Sequence, residues 1–273
     1  MIAYSVCTLR IGRGTNNWRL IIWILDAKML TFLKKHVYPA GIDVTANCLK
    51  VAQLAFDGTY RYVKATGSEQ MPEDIQYGTA DWQKWVAAAV KKIIKDGAFK
   101  GSNVITSMLP QDVFIDEVKV PRTAIAKPEE AAFKKISSKL PFDPQQAMIQ
   151  YIVADLGINT DQVNVLVMAT DRQVVERHLA IYEKAGLDIK GIAVWPLVMT
   201  NTYIKFFSRR KSEASVIAML VDVTANMSKI VICRGPDLLF ARAIPVGFLE
   251  INQGQMVQRL VSEMEACCHY FES

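Results

Sequence analysis

Apolar and polar positions along this chain recur in two rhythms, and each switch between them marks an element boundary. From residue 41, Gly41-Ile42-Asp43-Val44, Cys48 to Phe56 and Tyr60 to Ala65 read as three strands, with Asp57-Gly58 as a hairpin turn. Trp82, Trp85, Val86, Ala89, Val90, Ile93 and Ile94 then recur at helical spacing and predict a helix over 79–96, stopped by Gly97. Val104 to Met108 reads as a short buried strand.

Between about 111 and 191 the pattern predicts strand, helix, strand, strand, helix, strand. Val113 to Val120 is the first strand, closed by Pro121. Pro128 opens a helix through Leu140, as suits proline in a first turn. Ala147 to Ala154 and Val163 to Ala169 are strands, and Asp171 to Ala185 is a helix with Asp171 as its N-cap and Gly186 past its end. Leu187 to Val194 returns as strand. The whole reads as a compact module inserted into a larger scaffold.

After a helix at about 195–207 and the basic break Arg209-Arg210-Lys211-Ser212-Glu213, strands resume. Val216 to Asp222 is apolar until its last residue and predicts a strand buried on both faces. Lys229 to Cys233 and Leu238 to Ile244 pair across Arg234-Gly235-Pro236-Asp237. A last helix over 255–271 places Val257, Leu260, Val261, Met264, Cys267, Cys268 and Phe271 on one core-facing side.

Composition changes this picture little. With 273 residues, 51% apolar and 22% charged, the chain suits one large or two modest globular domains. The net charge of +5 lies wholly in residues 1–36, which hold six Lys/Arg against one Asp/Glu and leave 26 against 26 beyond. The body is neutral overall, so charge gives no argument for a nucleic-acid partner. Five cysteines without a CxxC spacing form neither a disulfide framework nor a zinc site, and a reducing, cytoplasmic compartment is the simpler reading. His36, His178 and His269 stand in no metal-binding motif. The apolar run Leu20 to Leu25 is too short for a typical signal core or a bilayer span, and we read Met29 as the start of translation and residues 1–36 as an extension.

The most informative feature is a repetition. Asp43-Val44-Thr45-Ala46-Asn47 recurs as Asp222-Val223-Thr224-Ala225-Asn226, and Lys50 recurs as Lys229. Each copy falls where an apolar strand meets a polar turn with a second strand behind it. Two such hairpins imply a pseudo-two-fold scaffold whose halves flank a cleft. A turn of small and hydroxyl residues offers N–H groups and a hydroxyl to an anion, and a strand-terminal Asp can hold a metal ion. The bland reading is good turn chemistry and nothing more.

The segment Gly41 to Lys50 resembles the first phosphate loop of the PilM family, actin-like type IV pilus assembly proteins related to FtsA. Further stretches are similar to that family in the same order: Met29 to Lys35, Val104 to Pro121, Lys139 to Asp143, Val165 to Gly186 and Leu220 to Gly247. The resemblance implies an α/β, actin-like (ribonuclease H-like) two-lobed fold: a first lobe over 37–110, an inserted partner-binding subdomain over 111–191 and a truncated second lobe over 192–273. It implies a Mg-ATP site drawn from Asp43, Thr45, Ala46, Asn47, Lys50, Asp222, Thr224, Ala225 and Asn226, with Asp43 and Asp222 around Mg²⁺.

The sequence departs from the family in both loops, where Thr45 and Thr224 stand in place of the usual glycine. A β-branched residue brings bulk where a phosphate must approach closely. From Ile244-Pro245-Val246-Gly247 the chain passes almost directly to the last helix, so the expectation is a second lobe without the subdomain that the family carries at this point and without its later Gly-Gly loop. The expectation is therefore a cytoplasmic scaffold at the inner face of the inner membrane that binds the N-terminal peptide of a PilN-like membrane protein and has weakened or lost nucleotide binding. It touches the membrane only through that partner, and the last helix is a candidate face for a second copy. The alternative is an active Mg-ATP-dependent ATPase.

Overall fold

In the computed structural model, residues 36–45, 47–154, 161–207, 216–251 and 255–272 are described. The expectations for Met29 to Lys35, for Ala46 and for the basic break at 209–213 lie outside them. The chain divides into two compact units.

The first unit holds 36–113, 145–148 and 170–195 of the described residues. Its sheet contains β1 (His36–Val37), β2 (Ala40–Val44), β3 (Cys48–Phe56), β4 (Arg61–Gln70), β5 (Asn103–Ser107) and β9 (Asp188–Ala193). Across it, β4 is antiparallel to β3 and β3 to β2, whereas β2 runs parallel to β5 and β5 to β9. The last strand thus departs from the sequence reading, which grouped Leu187–Val194 with the strands of the inserted module. Helix α3 (Arg172–Lys184) carries the chain back so that β9 completes the first sheet instead.

Helix α1 (Ala80–Asp96) begins where Thr79 accepts a hydrogen bond from the Trp82 N–H and ends where the Gly97 N–H returns to the Ile93 carbonyl. Its Trp82, Val86, Val90 and Ile93 pack with Ile42, Val44, Leu49 and Val51 of the sheet and with Ile181 and Tyr182 of α3. Gly67 on β4 permits the approach, since a Cβ there would lie 2.4 Å from Ile93 Cγ2. β4 runs five residues beyond the expected Ala65. The polar tail Thr66 to Gln70 looks like loop in sequence, but it pairs with Cys48 to Ala52.

The second unit holds two further sheets. In one, β6 (Phe114–Pro121) is antiparallel to β8 (Gln162–Asp171), which neighbours β7 (Ala147–Ala154). Val118, Val120, Val163, Val165 and Val167 pack there with Ala132 and Ile136 of α2 (Pro128–Ile136). That helix stops four residues before the expected Leu140, and Ser137–Lys139 tighten into a 3₁₀ turn. Helix α4 (Trp195–Phe206) falls where the sequence places it.

In the other sheet β10 (Ile217–Val223), β11 (Ser228–Arg234) and β12 (Asp237–Ile244) lie in chain order, all antiparallel, and a short helix α5 (Phe248–Ile251) follows. Helix α6 (Gln255–Glu272) covers Ile230, Ile232 and Ile244 with Leu260, Met264 and Cys267. Two expectations fail here. β10 is not buried on both faces: β11 is its one neighbouring strand among the described residues, and Ile217, Val221 and Val223 are exposed. The core-facing side of α6 is also narrower than the pattern suggests, because Val257, Val261 and Cys268 are exposed while Leu260, Met264 and Cys267 face the sheet.

Candidate functional site

The two copies of the repeat fold alike. Asp43 is the last residue but one of β2 and stands opposite Lys50, and Asp222 is the last but one of β10 and stands opposite Lys229. In the first turn the Thr45 N–H donates to the Cys48 carbonyl at 2.8 Å, and in the second the Thr224 N–H donates to the Met227 carbonyl at the same distance. Equal sequence at a fixed register gives equal turns, which is the physical content of the repeat.

In both turns the threonine hydroxyl bends back to the carbonyl three residues on, at 3.0 Å to Cys48 and 2.8 Å to Met227. Thr45 Oγ1 also accepts the Cys48 N–H at 3.1 Å and lies 3.3 Å from Asn47 Oδ1. The hydroxyls that sequence reasoning offers to phosphate thus close their own turns.

The two carboxylates diverge. Asp43 Oδ1 accepts a 2.6 Å hydrogen bond from the Ser107 hydroxyl at the end of β5. Asp222 Oδ2 is bound by the ammonium of Lys229 at 2.9 Å, with the Lys229 side chain mostly buried. A fixed ammonium against this carboxylate occupies the place a divalent cation would need. No group of three or more His, Cys, Asp or Glu able to hold a metal ion occurs among the described residues.

The second turn is tied down further. Its Thr224 and Ala225 carbonyls accept the N–H groups of Phe248 and Leu249 at 2.9 and 3.2 Å. Gly247 makes this possible, since a Cβ there would lie 2.0 Å from the Ala225 carbonyl oxygen. Asn226 is exposed, as is Asn47 in the first turn. Asp43 and Lys50 of the first copy instead border a cavity of about 410 Å³ with Gly41, Ala52, Thr66 and Ser68.

Sequence reasoning missed what lies behind Asp43. Ser107 and Thr106 are successive β5 residues, so they face opposite sides of the sheet. Thr106 donates to the Tyr182 hydroxyl at 2.7 Å and hydrogen-bonds His178 Nε2 at 3.0 Å, and all three are buried. Burial lowers the His178 pKa to about 4 and raises that of Tyr182, with the nearby Asp43 charge adding to the latter. The available signal was the i, i+4 spacing of His178 and Tyr182 on one helix face. Tyr77, whose hydroxyl binds the Asp112 carboxylate, is a second such pair, and desolvation raises the pKa of both groups.

A parallel-antiparallel sheet of this order under α1 and α3, followed by a hairpin sheet that repeats its Asp turn, defines an actin-like α/β protein. The family model for type IV pilus assembly protein PilM matches residues 41–266, and the chain belongs to that family.

Among solved structures, one of a "PilM-PilN type IV pilus biogenesis complex" is similar at a TM-score of 0.63 and 21% identity, covering 77% of this chain and 62% of that chain. This chain therefore spans less than two thirds of that relative's length. The cytoplasmic domain of EpsL, an inner-membrane component of the type II secretion system of Vibrio cholerae, matches at a TM-score of 0.48 and 10% identity, covering 78% of this chain and 72% of that one. A protein of actin-like ATPase fold and unknown function from Bacteroides thetaiotaomicron matches at 0.43 and 11%, covering 84% and 77%. No curated protein matches the sequence.

Proposed function

We propose that this protein is a cytoplasmic, actin-like scaffold of type IV pilus assembly, or of the related type II secretion, that works by protein contact. Its working parts are a first lobe over 37–110, a partner-binding segment over 111–191 and a second lobe over 192–273, with 1–36 as an extension. The segment 111–191 takes the cytoplasmic N-terminal peptide of a PilN-like inner-membrane protein, as an extended or amphipathic chain in an apolar groove. This holds the scaffold at the inner face of the inner membrane without a span of its own. No helix among the described residues is long and apolar enough to cross a membrane. The proposal extends to self-association of the chain.

Nucleotide binding is weakened or lost in this reading, and one observation carries that part. Thr45 and Thr224 close their own turns while Lys229 neutralises Asp222. Asp43, Asn47, Lys50 and Asn226 stay open to Mg-ATP, each within its own turn, and a metal held by Asp43 would supply charge neutralisation there. The test is a pair of calorimetric titrations of the full chain. The PilN-like peptide is expected to bind with a Kd in the micromolar range, about −8 kcal/mol, while Mg-ATP gives no heat at about 1 mM. Silence with the peptide together with saturable Mg-ATP heat would replace this reading by that of an ATPase.

A further inference from the structure

At the opposite end of β3 from the Asp43 turn, the first sheet closes in a hairpin corner that points apolar side chains outward. β3 ends at Phe56 and β4 begins at Arg61, with β1 paired alongside. His36, Phe56 and Arg61 form one cross-strand row, and Val37, Ala55 and Tyr62 form the next. Residues opposite each other share a face of the sheet and successive ones alternate. Tyr62 and Val37 therefore stand on one face, and Val63, opposite Leu54, on the other. Tyr60 at the tip is 63% exposed, Tyr62 43% and Val63 61%. A half-buried hairpin hides its apolar groups on one face, whereas this one shows them on both faces and at its tip.

The corner is also basic. Arg61 Nε donates to the Tyr38 hydroxyl at 2.8 Å, and its guanidinium carbon lies 5.8 Å from the centres of the Tyr38 and Phe56 rings. Gln53 Nε2 donates to the Tyr38 and Lys100 carbonyls at 2.9 and 2.8 Å, which sets the exposed Lys100 beside the same corner. Lys64 follows Val63. Between His36 and Lys64 the acidic residues are Asp43, at the far end of these strands, and Asp57. Asp57 Oδ1 is turned into the hairpin, where it accepts the N–H groups of Thr59 and Tyr60 at 2.8 and 2.9 Å. The chain enters this corner at His36 from a stretch that carries Leu30, Phe32 and Leu33 followed by Lys34 and Lys35.

We propose that this corner is a membrane-docking surface, and that it takes the headgroup layer of an anionic lipid leaflet. Tyrosine suits such a boundary, because its ring enters the apolar side while its hydroxyl stays among the headgroups. Arg61, Lys64 and Lys100 meet the lipid phosphates, each basic side chain near the surface raising binding about fivefold. Strand addition by a protein partner fits less well. The ladder between β3 and β4 shifts at Gln53 and Leu54 and leaves Lys64 out of it, a device that blunts a sheet edge. Apolar and electrostatic attraction together hold a peripheral protein where either alone does not, and the residues leading into His36 supply more of both. This surface adds a direct lipid contact to the attachment through a PilN-like partner and does not depend on that partner.

Co-sedimentation of the full chain with vesicles of phosphatidylethanolamine and phosphatidylglycerol tests this with no other protein present. The chain should pellet with these vesicles, stay in solution with phosphatidylcholine vesicles, and be released as salt rises to about 0.5 M. Tyr60→Ser combined with Tyr62→Ser should weaken partition at least about tenfold. Lys64→Ala and Lys100→Ala should each weaken it about fivefold. Unchanged circular dichroism and melting show that a variant is folded, and the two lysine variants carry the test if the tyrosine pair fails to fold. A wild-type chain that ignores the phosphatidylglycerol vesicles, or binds neutral ones equally, overturns the proposal. Partition unchanged in the folded variants overturns it too, by placing lipid contact elsewhere in the chain. Since no peptide is present, each of these results leaves the peptide reading untouched.

Discussion

His178 is held neutral at the back of the first sheet, with its ring between Thr106 and the edge of Tyr182. Its folded pKa of about 4 lies below the ordinary value of about 6.5, so the unfolded chain takes up the proton first as pH falls. The stability tied to this neutral ring is complete above about pH 6.5 and is lost as pH drops toward 4, with a slope of at most about 1.4 kcal/mol per pH unit. Denaturant unfolding of wild type and His178→Gln across that window should show the acid-side slope flattened in the variant. Equal slopes would place the proton uptake elsewhere. At this scale the sequence shows which residues carry unusual chemistry but not their surroundings. Thr45 and Thr224 were legible as departures from glycine, whereas the closure of each turn by its own hydroxyl depends on where Cys48 and Met227 lie in space.

Elements whose signals are local agree with their sequence reading. Thr79 and Gly97 bound α1, and Asp171 caps α3 by accepting the Gln173 N–H at 2.7 Å. Asp171→Ala should lower unfolding free energy by about 1 kcal/mol, read as a lower denaturant midpoint at unchanged m. No change would mean that water or a neighbour satisfies the first turn of α3 equally well. Elements governed by distant partners differ from the reading. Thr66 to Gln70 is polar enough to pass for loop, and only the matching length of β3 makes it strand. Val216 to Val221 is apolar enough to pass for a buried strand, yet β10 has one neighbouring strand among the described residues and Val216, Ile217 and Val221 are exposed.

Across the whole molecule, ligand linkage offers a reading of function that needs no site assignment. A ligand that binds only the folded state stabilises it by an amount set by its concentration relative to Kd, about 2.7 kcal/mol at a hundredfold excess. The PilN-like peptide at such an excess should raise the melting temperature by several degrees, whereas Mg-ATP at millimolar concentration should leave it unmoved. A shift with Mg-ATP alone would restore the reading of an active Mg-ATP-binding protein.

The duplicated Asp–x–Thr turn, the helix caps and the order of strands and helices were fixed by residues near one another in the chain, because turn closure, capping and amphipathic period are short-range physics. Long-range packing decided the rest: that β9 joins β5, and that Lys229 claims Asp222 while Ser107 takes Asp43. Each of those outcomes turns on which groups a folded backbone brings within about 3 Å, a distance that spacing in the sequence does not encode.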